Sequence, residues 1–120
     1  MATKLKVLIV DDNERFCNNI VDILELKGYD ISGVYDGYQA VEAVKKQKFD
    51  IVLMDIKMPG MNGVDTVKML RTIDPDINIV MITAFADDSV YKDELKNSNL
   101  KIMQKPMDID KLCTVLESLN

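Results

Sequence analysis

Four apolar stretches of this sequence each end at a polar residue whose chemistry suits a phosphoryl group. Asp11 and Asp12 follow the first stretch, Asp55 the second, Thr83 the third and Lys105 the fourth. If these stretches are parallel strands, their carboxyl ends share one edge of a sheet, which is where open α/β sheets bind ligands. Three carboxylates, a hydroxyl and an ammonium group would then meet in one crevice. We therefore predict a metal-assisted phosphate site at that edge.

The three acidic residues require a cation if all of them are to stay ionised. Two carboxylates about 4 Å apart repel by roughly 4 kcal/mol at an effective dielectric constant of about 20, and a third adds to the repulsion. An all-oxygen donor set with few protein ligands suits Mg²⁺, with Mn²⁺ as an alternative ion. A carboxylate beside such a metal can attack a phosphoryl group and form an aspartyl-phosphate. Asp55 is the candidate nucleophile because it stands alone on its strand, and Asp11 and Asp12 then hold the metal.

The two remaining polar residues can contact the transferred phosphoryl group. The ammonium group of Lys105 would supply a point charge to the oxygens of the phosphoryl group, since lysine can bind phosphate where bidentate geometry is not required. Thr83 would donate a hydrogen bond from its hydroxyl. The Lys105–Pro106 peptide bond is predicted to be cis, which would aim the ammonium group inward.

Strand-like and helix-like patterns alternate about five times along the chain, which favours βαβ units and a parallel sheet. Strands are predicted at Lys4–Val10, Ile31–Val34, Asp50–Asp55, Ile77–Thr83 and around Ile102. Helical patterns follow each strand, and the fourth, over residues 87–97, has the weakest apolar stripe. The expected fold is a doubly wound (βα)5 α/β sandwich with the flavodoxin-like strand order 2-1-3-4-5. Its topological switch point lies between the first and third strands, where the acidic residues are found.

The bulk composition indicates one globular domain. A chain of 120 residues has the length of one domain, so we predict a single domain over residues 1–120. A hydrophobic content of 48% and a charged content of 29% exclude a disordered chain. The net charge is −5 and there is no cluster of Lys and Arg, so we predict no nucleic-acid binding.

Histidine and cysteine usage narrow the chemistry further. The sequence contains no histidine, which excludes His-based triads, His metal ligands and a phosphohistidine on this chain. Cys17 and Cys113 form no CxxC pair and are predicted to be small core residues in a reducing cytoplasm. The apolar run before Asp11 is too short for a membrane span. A cytoplasmic protein with no membrane association is expected.

The chain resembles the receiver (CheY-like) domain of two-component response regulators through residues at matching spacings: Asp11-Asp12, Asp55, Thr83-Ala84 and Lys105-Pro106. The resemblance covers essentially the whole chain. It implies that Asp55 accepts a phosphoryl group from a histidine kinase or a histidine phosphotransfer protein. It also implies that Asp12, Asp55 and the backbone carbonyl of Lys57 hold Mg²⁺, with Asp11 assisting partly through water.

Phosphorylation would act as a switch rather than as a turnover step. It adds about 1.5–2 negative charges at the acceptor, and Thr83 and Lys105 can pair with them. The face formed by the fourth helix, fifth strand and fifth helix is therefore expected to bind a downstream protein. Lys57 and Phe85 flank the expected site and should set the lifetime of the phosphate. Ile102 occupies a position where many members of the family carry an aromatic ring, so loop packing is expected to replace an aromatic rotamer change.

Three alternatives remain open. The chain is expected to be a stand-alone regulator or phosphorelay carrier that assists its own phosphorylation and dephosphorylation, but it could be the receiver of a multidomain transcriptional regulator. A phosphatase of the haloacid-dehalogenase type needs a second Asp where this chain has Lys57. A flavodoxin-type electron carrier is disfavoured because Asp11 and Asp12 would repel the phosphate of the flavin. The sequence names neither the cognate kinase nor the signal, the target or the oligomeric state.

Overall fold

The structure is a computed structural model that describes residues 5–55, 63–83, 100–104 and 108–118, with side chains except at 63, 64, 83, 100 and 104. Its strands are β1 (Lys6–Val10), β2 (Asp30–Val34), β3 (Ile51–Asp55), β4 (Asn78–Thr83) and β5 (Leu100–Gln104). The helices of the described ranges are α1 (Glu14–Leu26), α2 (Gly37–Lys46), α3 (Gly63–Ile73) and α4 (Ile109–Ser118). Helix α4 is the helix predicted fifth along the chain, and the segment 87–97 lies outside the described residues.

The five strands form one parallel sheet in the order β2-β1-β3-β4-β5. The predicted doubly wound fold and its strand order are therefore confirmed. The apolar runs of β1 and β3 follow from this order, because strands in the middle of a parallel sheet are covered on both faces. Val7–Val10 and Ile51–Met54 accordingly have no exposed surface.

The two faces of the sheet are covered by different helices. On one face, the outward side chains of the strands pack against α2 and α3, with Val41, Val44 and Leu70 buried among them. On the other face, α1 and α4 contribute Leu24 and Leu112. Each fully buried side chain of this kind contributes about 1.5–3 kcal/mol of transfer free energy. These two layers fix the central strands and therefore the ends of the strands where the acidic residues lie.

Helix α1 begins and ends at the residues that its sequence indicates. The side chain of Asn13 accepts a hydrogen bond from the backbone N–H of Phe16 at 3.0 Å, which caps the first turn. Gly28 follows the helix at φ +96°, a left-handed conformation that glycine adopts without a steric cost. The predicted core position Cys17 is fully buried, whereas Cys113 in α4 is half-buried.

None of the helices in the described ranges combines the length and the hydropathy that a membrane span requires.

Candidate metal centre

The register of the two central strands brings the acidic residues together. Val10 of β1 pairs with Met54 of β3, so Asp11 and Asp55 are the next residues of neighbouring strands at the same edge of the sheet. Asp12 follows directly. One carboxylate oxygen from each of the three residues lies within 4.8 Å of the other two. The convergence of carboxylates that the sequence predicts is thus present in the structure.

The three residues of the cluster differ in burial. Asp11 has 1% of its surface exposed, Asp55 is half-buried and Asp12 is exposed. At the upper limit of these separations, 4.8 Å, a pair of ionised carboxylates repels by about 3.5 kcal/mol at a dielectric constant near 20 and by about 0.9 kcal/mol in water, and a closer pair repels more strongly. A cation among the oxygens removes this repulsion.

The donor set fits Mg²⁺ in both chemistry and size. Mg²⁺ prefers hard oxygen ligands at about 2.1 Å, so that opposite ligands lie about 4.2 Å apart, and it usually keeps several of its waters. Three carboxylate oxygens within 4.8 Å of one another meet this requirement with a small adjustment. Asp12 is exposed, which suits an ion that keeps several of its waters.

Asp11 is held by a hydrogen bond to its carboxylate, from its own turn, and by one from its backbone to β2. Its Oδ1 accepts the backbone N–H of Asn13 at 2.9 Å, and its backbone N–H donates to the carbonyl oxygen of Val34 at 3.2 Å. The hydrogen bond from the backbone of Asn13 to Asp11 was not predicted from the sequence. An Asp two residues before the donating N–H is the pattern of an Asx turn, which could have indicated it.

A buried thiol lies beneath this turn. Cys17 has no exposed surface, and its sulfur lies 3.9 Å from the carbonyl oxygen of Ile9 and 3.8 Å from that of Val34. Burial, with smaller contributions from the negative charges of Asp11 and Glu14, raises the pKa of the Cys17 thiol to about 11. The thiol therefore keeps its proton at neutral pH and can donate it to these carbonyls.

The structure places two of the other predicted site residues within the described part of the chain. Thr83 is the last residue of β4, one position beyond Ile82, which pairs with Asp55. Its backbone therefore lies at the edge of the sheet that carries the acidic cluster. Ile102 pairs with Met81 and is half-buried against the core layer of α2 and α3.

The remaining predicted site residues are Lys57, Phe85 and Lys105. They lie outside the described residues, as does the predicted cis bond between Lys105 and Pro106.

A parallel doubly wound sheet with a cluster of carboxylates at its switch point defines a class of α/β domains that bind ligands at this edge of the sheet. The family within this class follows from a comparison with known proteins. The model of the response regulator receiver domain matches residues 7–117. The chain belongs to this family, and it is a receiver domain of the two-component response regulators.

Individual relatives cover different parts of their own lengths. The chain is 34% identical over 114 residues to the transcriptional regulatory protein ZraR of Salmonella typhimurium, which covers 95% of the chain but 26% of ZraR. It is 32% identical to sporulation initiation phosphotransferase F of Bacillus subtilis, over 89% of the chain and 86% of that protein. The chain thus spans about a quarter of the first relative (26%) and most of the second.

The solved structures agree with the fold. The chemotaxis response regulator CheY4 of Vibrio cholerae superposes with a TM-score of 0.88 at 26% identity, over 98% of this chain and 100% of that one.

Receiver domains are signalling switches rather than classical enzymes, and they generally bind Mg²⁺ in an acidic pocket. As a class, they interact with histidine kinases or phosphotransfer proteins and with downstream targets.

Proposed function

We propose that residues 1–120 form a single receiver domain in which Asp55 accepts a phosphoryl group from a phosphohistidine donor. The observation that carries this proposal is the approach of the carboxylates of Asp11, Asp12 and Asp55 to within 4.8 Å of one another. The half-burial of Asp55 supports its role as acceptor, because a partly desolvated carboxylate remains accessible to a donor protein. Asp12, Asp55 and the carbonyl of Lys57 would hold Mg²⁺ or Mn²⁺, and Asp11 would assist through water.

The transfer itself is a substitution at phosphorus. A carboxylate oxygen of Asp55 forms the new bond to phosphorus while the bond from phosphorus to the donor's imidazole nitrogen breaks. That nitrogen gains a proton, so the donor is released with a neutral imidazole. Bound Mg²⁺ supplies positive charge that offsets the repulsion between the carboxylates and the phosphoryl oxygens. Lys105 and Thr83 would contact the transferred oxygens. Thr83 is the last residue of β4, and Lys105 directly follows β5 in the sequence, which supports these roles.

The same residues would let the domain assist both its own phosphorylation and its own dephosphorylation. The acyl-phosphate is hydrolysed when a water attacks phosphorus from the side opposite Asp55. Lys57 and Phe85 would control that approach. If so, replacing either with Ala shortens the lifetime of the phosphate, and an unchanged lifetime in both variants would reject this role.

Phosphorylation would be read by the face that includes the segment 87–97, β5 and α4. The added charge of about 1.5–2 units attracts donors towards the end of β4, and β5 is the neighbouring strand. Ile102 lies on β5 and is half-buried, so it can respond to such a movement by repacking. The downstream partner would be a protein, with no nucleic acid or membrane bound by these residues.

Two kinds of signalling arrangement suit this domain. The similarity to phosphotransferase F along most of its length supports a stand-alone regulator or a carrier in a phosphorelay. The similarity to about a quarter of ZraR (26%) supports the alternative, a receiver within a multidomain transcriptional regulator. A cytoplasmic location is proposed in both cases, because the two thiols are unpaired and disulfides rarely persist there.

The test is an intact-mass measurement after incubation with acetyl phosphate and Mg²⁺. The wild-type protein should gain the mass of one phosphoryl group, and the gain should disappear in Asp55→Asn and when a chelator replaces Mg²⁺. Asp50→Asn is the matched control, because Asp50 precedes the opposite end of the same strand. A wild-type protein that gains no mass, or an Asp55→Asn variant that gains as much, would contradict the proposal.

A further inference from the structure

A closed circuit of four hydrogen bonds connects α1 to the ends of β1 and β2. The Oδ1 of Asp11 accepts the backbone N–H of Asn13 at 2.9 Å, and the carbonyl of Asn13 accepts the backbone N–H of Cys17 at 2.9 Å. The thiol of Cys17 lies 3.8 Å from the carbonyl oxygen of Val34. The circuit closes because that same oxygen accepts the backbone N–H of Asp11 at 3.2 Å. The buried acid of the candidate metal centre is thus part of a ring that includes a cysteine.

The sulfur of Cys17 occupies space that a glycine leaves open. A Cβ atom at Gly33 would lie 2.8 Å from the sulfur of Cys17 and 3.3 Å from Cγ2 of Val21. A distance of 2.8 Å is far inside van der Waals contact, so Gly33 is required here for close approach and not for its backbone angles. Gly33 pairs with Ile9 of β1, one position before the pair of Val10 and Val34. The contact therefore lies immediately beneath the turn that carries the acidic residues.

We propose that Cys17, seated against Gly33, is a positioning residue for the metal centre formed by Asp11, Asp12 and Asp55. The thiol holds the first turn of α1 against the ends of β1 and β2. Asn13 moves with that turn, and its backbone N–H donates to the carboxylate of Asp11. The orientation of this carboxylate therefore depends on the position of the thiol. The inference rests on the proposed metal-dependent function. In other proteins, residues that contact metal ligands orient those ligands, and Cys17 would have this role here.

The first arm of the test measures Mg²⁺ affinity by isothermal titration calorimetry on the full chain. Cys17→Ala should lower the affinity about 10-fold, the lower end of the effect for residues that orient metal ligands. Gly33→Ala should lower it further because its methyl group displaces the thiol. The double variant Gly33→Ala/Cys17→Ala should return to the level of Cys17→Ala, because the clashing sulfur is absent.

Two control variants separate positioning from a loss of core packing. Cys113→Ala removes a half-buried thiol from the same core layer, and Leu116→Ala removes a larger, fully buried side chain from that layer. Both should bind Mg²⁺ as the wild type does, although Leu116→Ala is less stable than Cys17→Ala. An affinity that follows stability across all of these variants would overturn the proposal.

The second arm uses the metal-free protein and measures amide hydrogen exchange at Asn13 by NMR. Exchange at this N–H should accelerate in Cys17→Ala and stay at the wild-type rate in Cys113→Ala. If Cys17→Ala matches Cys113→Ala in both exchange and affinity while the wild type binds Mg²⁺, the positioning role is rejected and the proposed function stands. A wild type that binds no Mg²⁺ contradicts the proposed function, and the Asn13 exchange then decides the positioning role alone.

Discussion

The stability of the protein should fall at alkaline pH through the ionisation of Cys17. Burial raises the pKa of its thiol from 9.0 to about 11 in the folded protein. A group with a raised folded-state pKa stabilises the fold fully below its unfolded pKa, and this stability is lost as pH rises towards the folded pKa. One pH unit between the two values corresponds to about 1.4 kcal/mol. Midway between them, near pH 10, the wild type should therefore have lost about 1.4 kcal/mol through this one group.

The measurement is urea unfolding of the reduced protein at several pH values from about 7 to about 10. Cys17→Ala lacks the titrating thiol, so the free-energy difference between wild type and Cys17→Ala should shrink by about 1.4 kcal/mol over this range. Cys113→Ala is the control and should keep the pH dependence of the wild type, because it retains Cys17. Parallel curves for wild type and Cys17→Ala would refute the reasoning and would mean that the buried thiol is not harder to ionise in the folded state.

Three further changes have defined outcomes in urea or thermal unfolding. Tyr29→Phe should cost about 1 kcal/mol, because the hydroxyl of Tyr29 donates to Glu117 at 2.7 Å and a net hydrogen bond is worth about this much. Burial and this hydrogen bond raise the pKa of Tyr29, so the wild type loses stability above about pH 10 and the deficit of Tyr29→Phe should shrink there; a constant deficit would argue against the shift. Asn13→Ala should cost about 1 kcal/mol by removing the cap of α1, whereas Asn13→Asp should be close to neutral; equal losses would exclude capping as the cause. Leu53→Ala should cost about 3–4 kcal/mol because Leu53 is fully buried, whereas Leu26→Ala, at a side chain 90% exposed, should change stability by less than about 0.5 kcal/mol; similar losses in the two variants would contradict the core assignment.

The strand order could be predicted from the sequence because burial on both faces leaves a strong signal. The continuous apolar runs of β1 and β3 identify central strands, and the alternation with helices restricts the topology to a few choices. Four strand boundaries were wrong by one or two residues: the strands predicted to begin at Lys4, Ile31, Asp50 and Ile77 begin at Lys6, Asp30, Ile51 and Asn78. Asp50 was predicted to begin β3, but its side chain accepts the backbone N–H of Lys6 at 2.8 Å, and the strand begins at Ile51. A side chain that satisfies a backbone group across 44 positions of sequence cannot be read from a local pattern.

The convergence of the three acids could also be predicted, because it needs only the strand order and the position of each acid at, or directly after, the end of a strand. The circuit through Cys17 could not. It depends on the register that sets Gly33 opposite Ile9 and on the depth at which α1 packs against β2. In the sequence, Cys17 and Gly33 are simply a small core residue and a glycine in a strand. Their contact depends on the packing of individual atoms, which the periodicity of the sequence does not predict.

The hydrogen bond between Tyr29 and Glu117 joins residues 88 positions apart. The same two parts of the chain also meet in one of the core layers. One of the two core layers is completed only when α4, close to the last residue of the sequence, covers the apolar side chains next to α1. During synthesis, the growing chain must therefore carry this layer uncovered until α4 has been made and has left the ribosome. Premature termination before α4 would leave an incomplete layer with an apolar surface of the kind that promotes aggregation and recruits chaperones. For this fold, the docking of α4 is therefore the step that protects this core layer from misassembly.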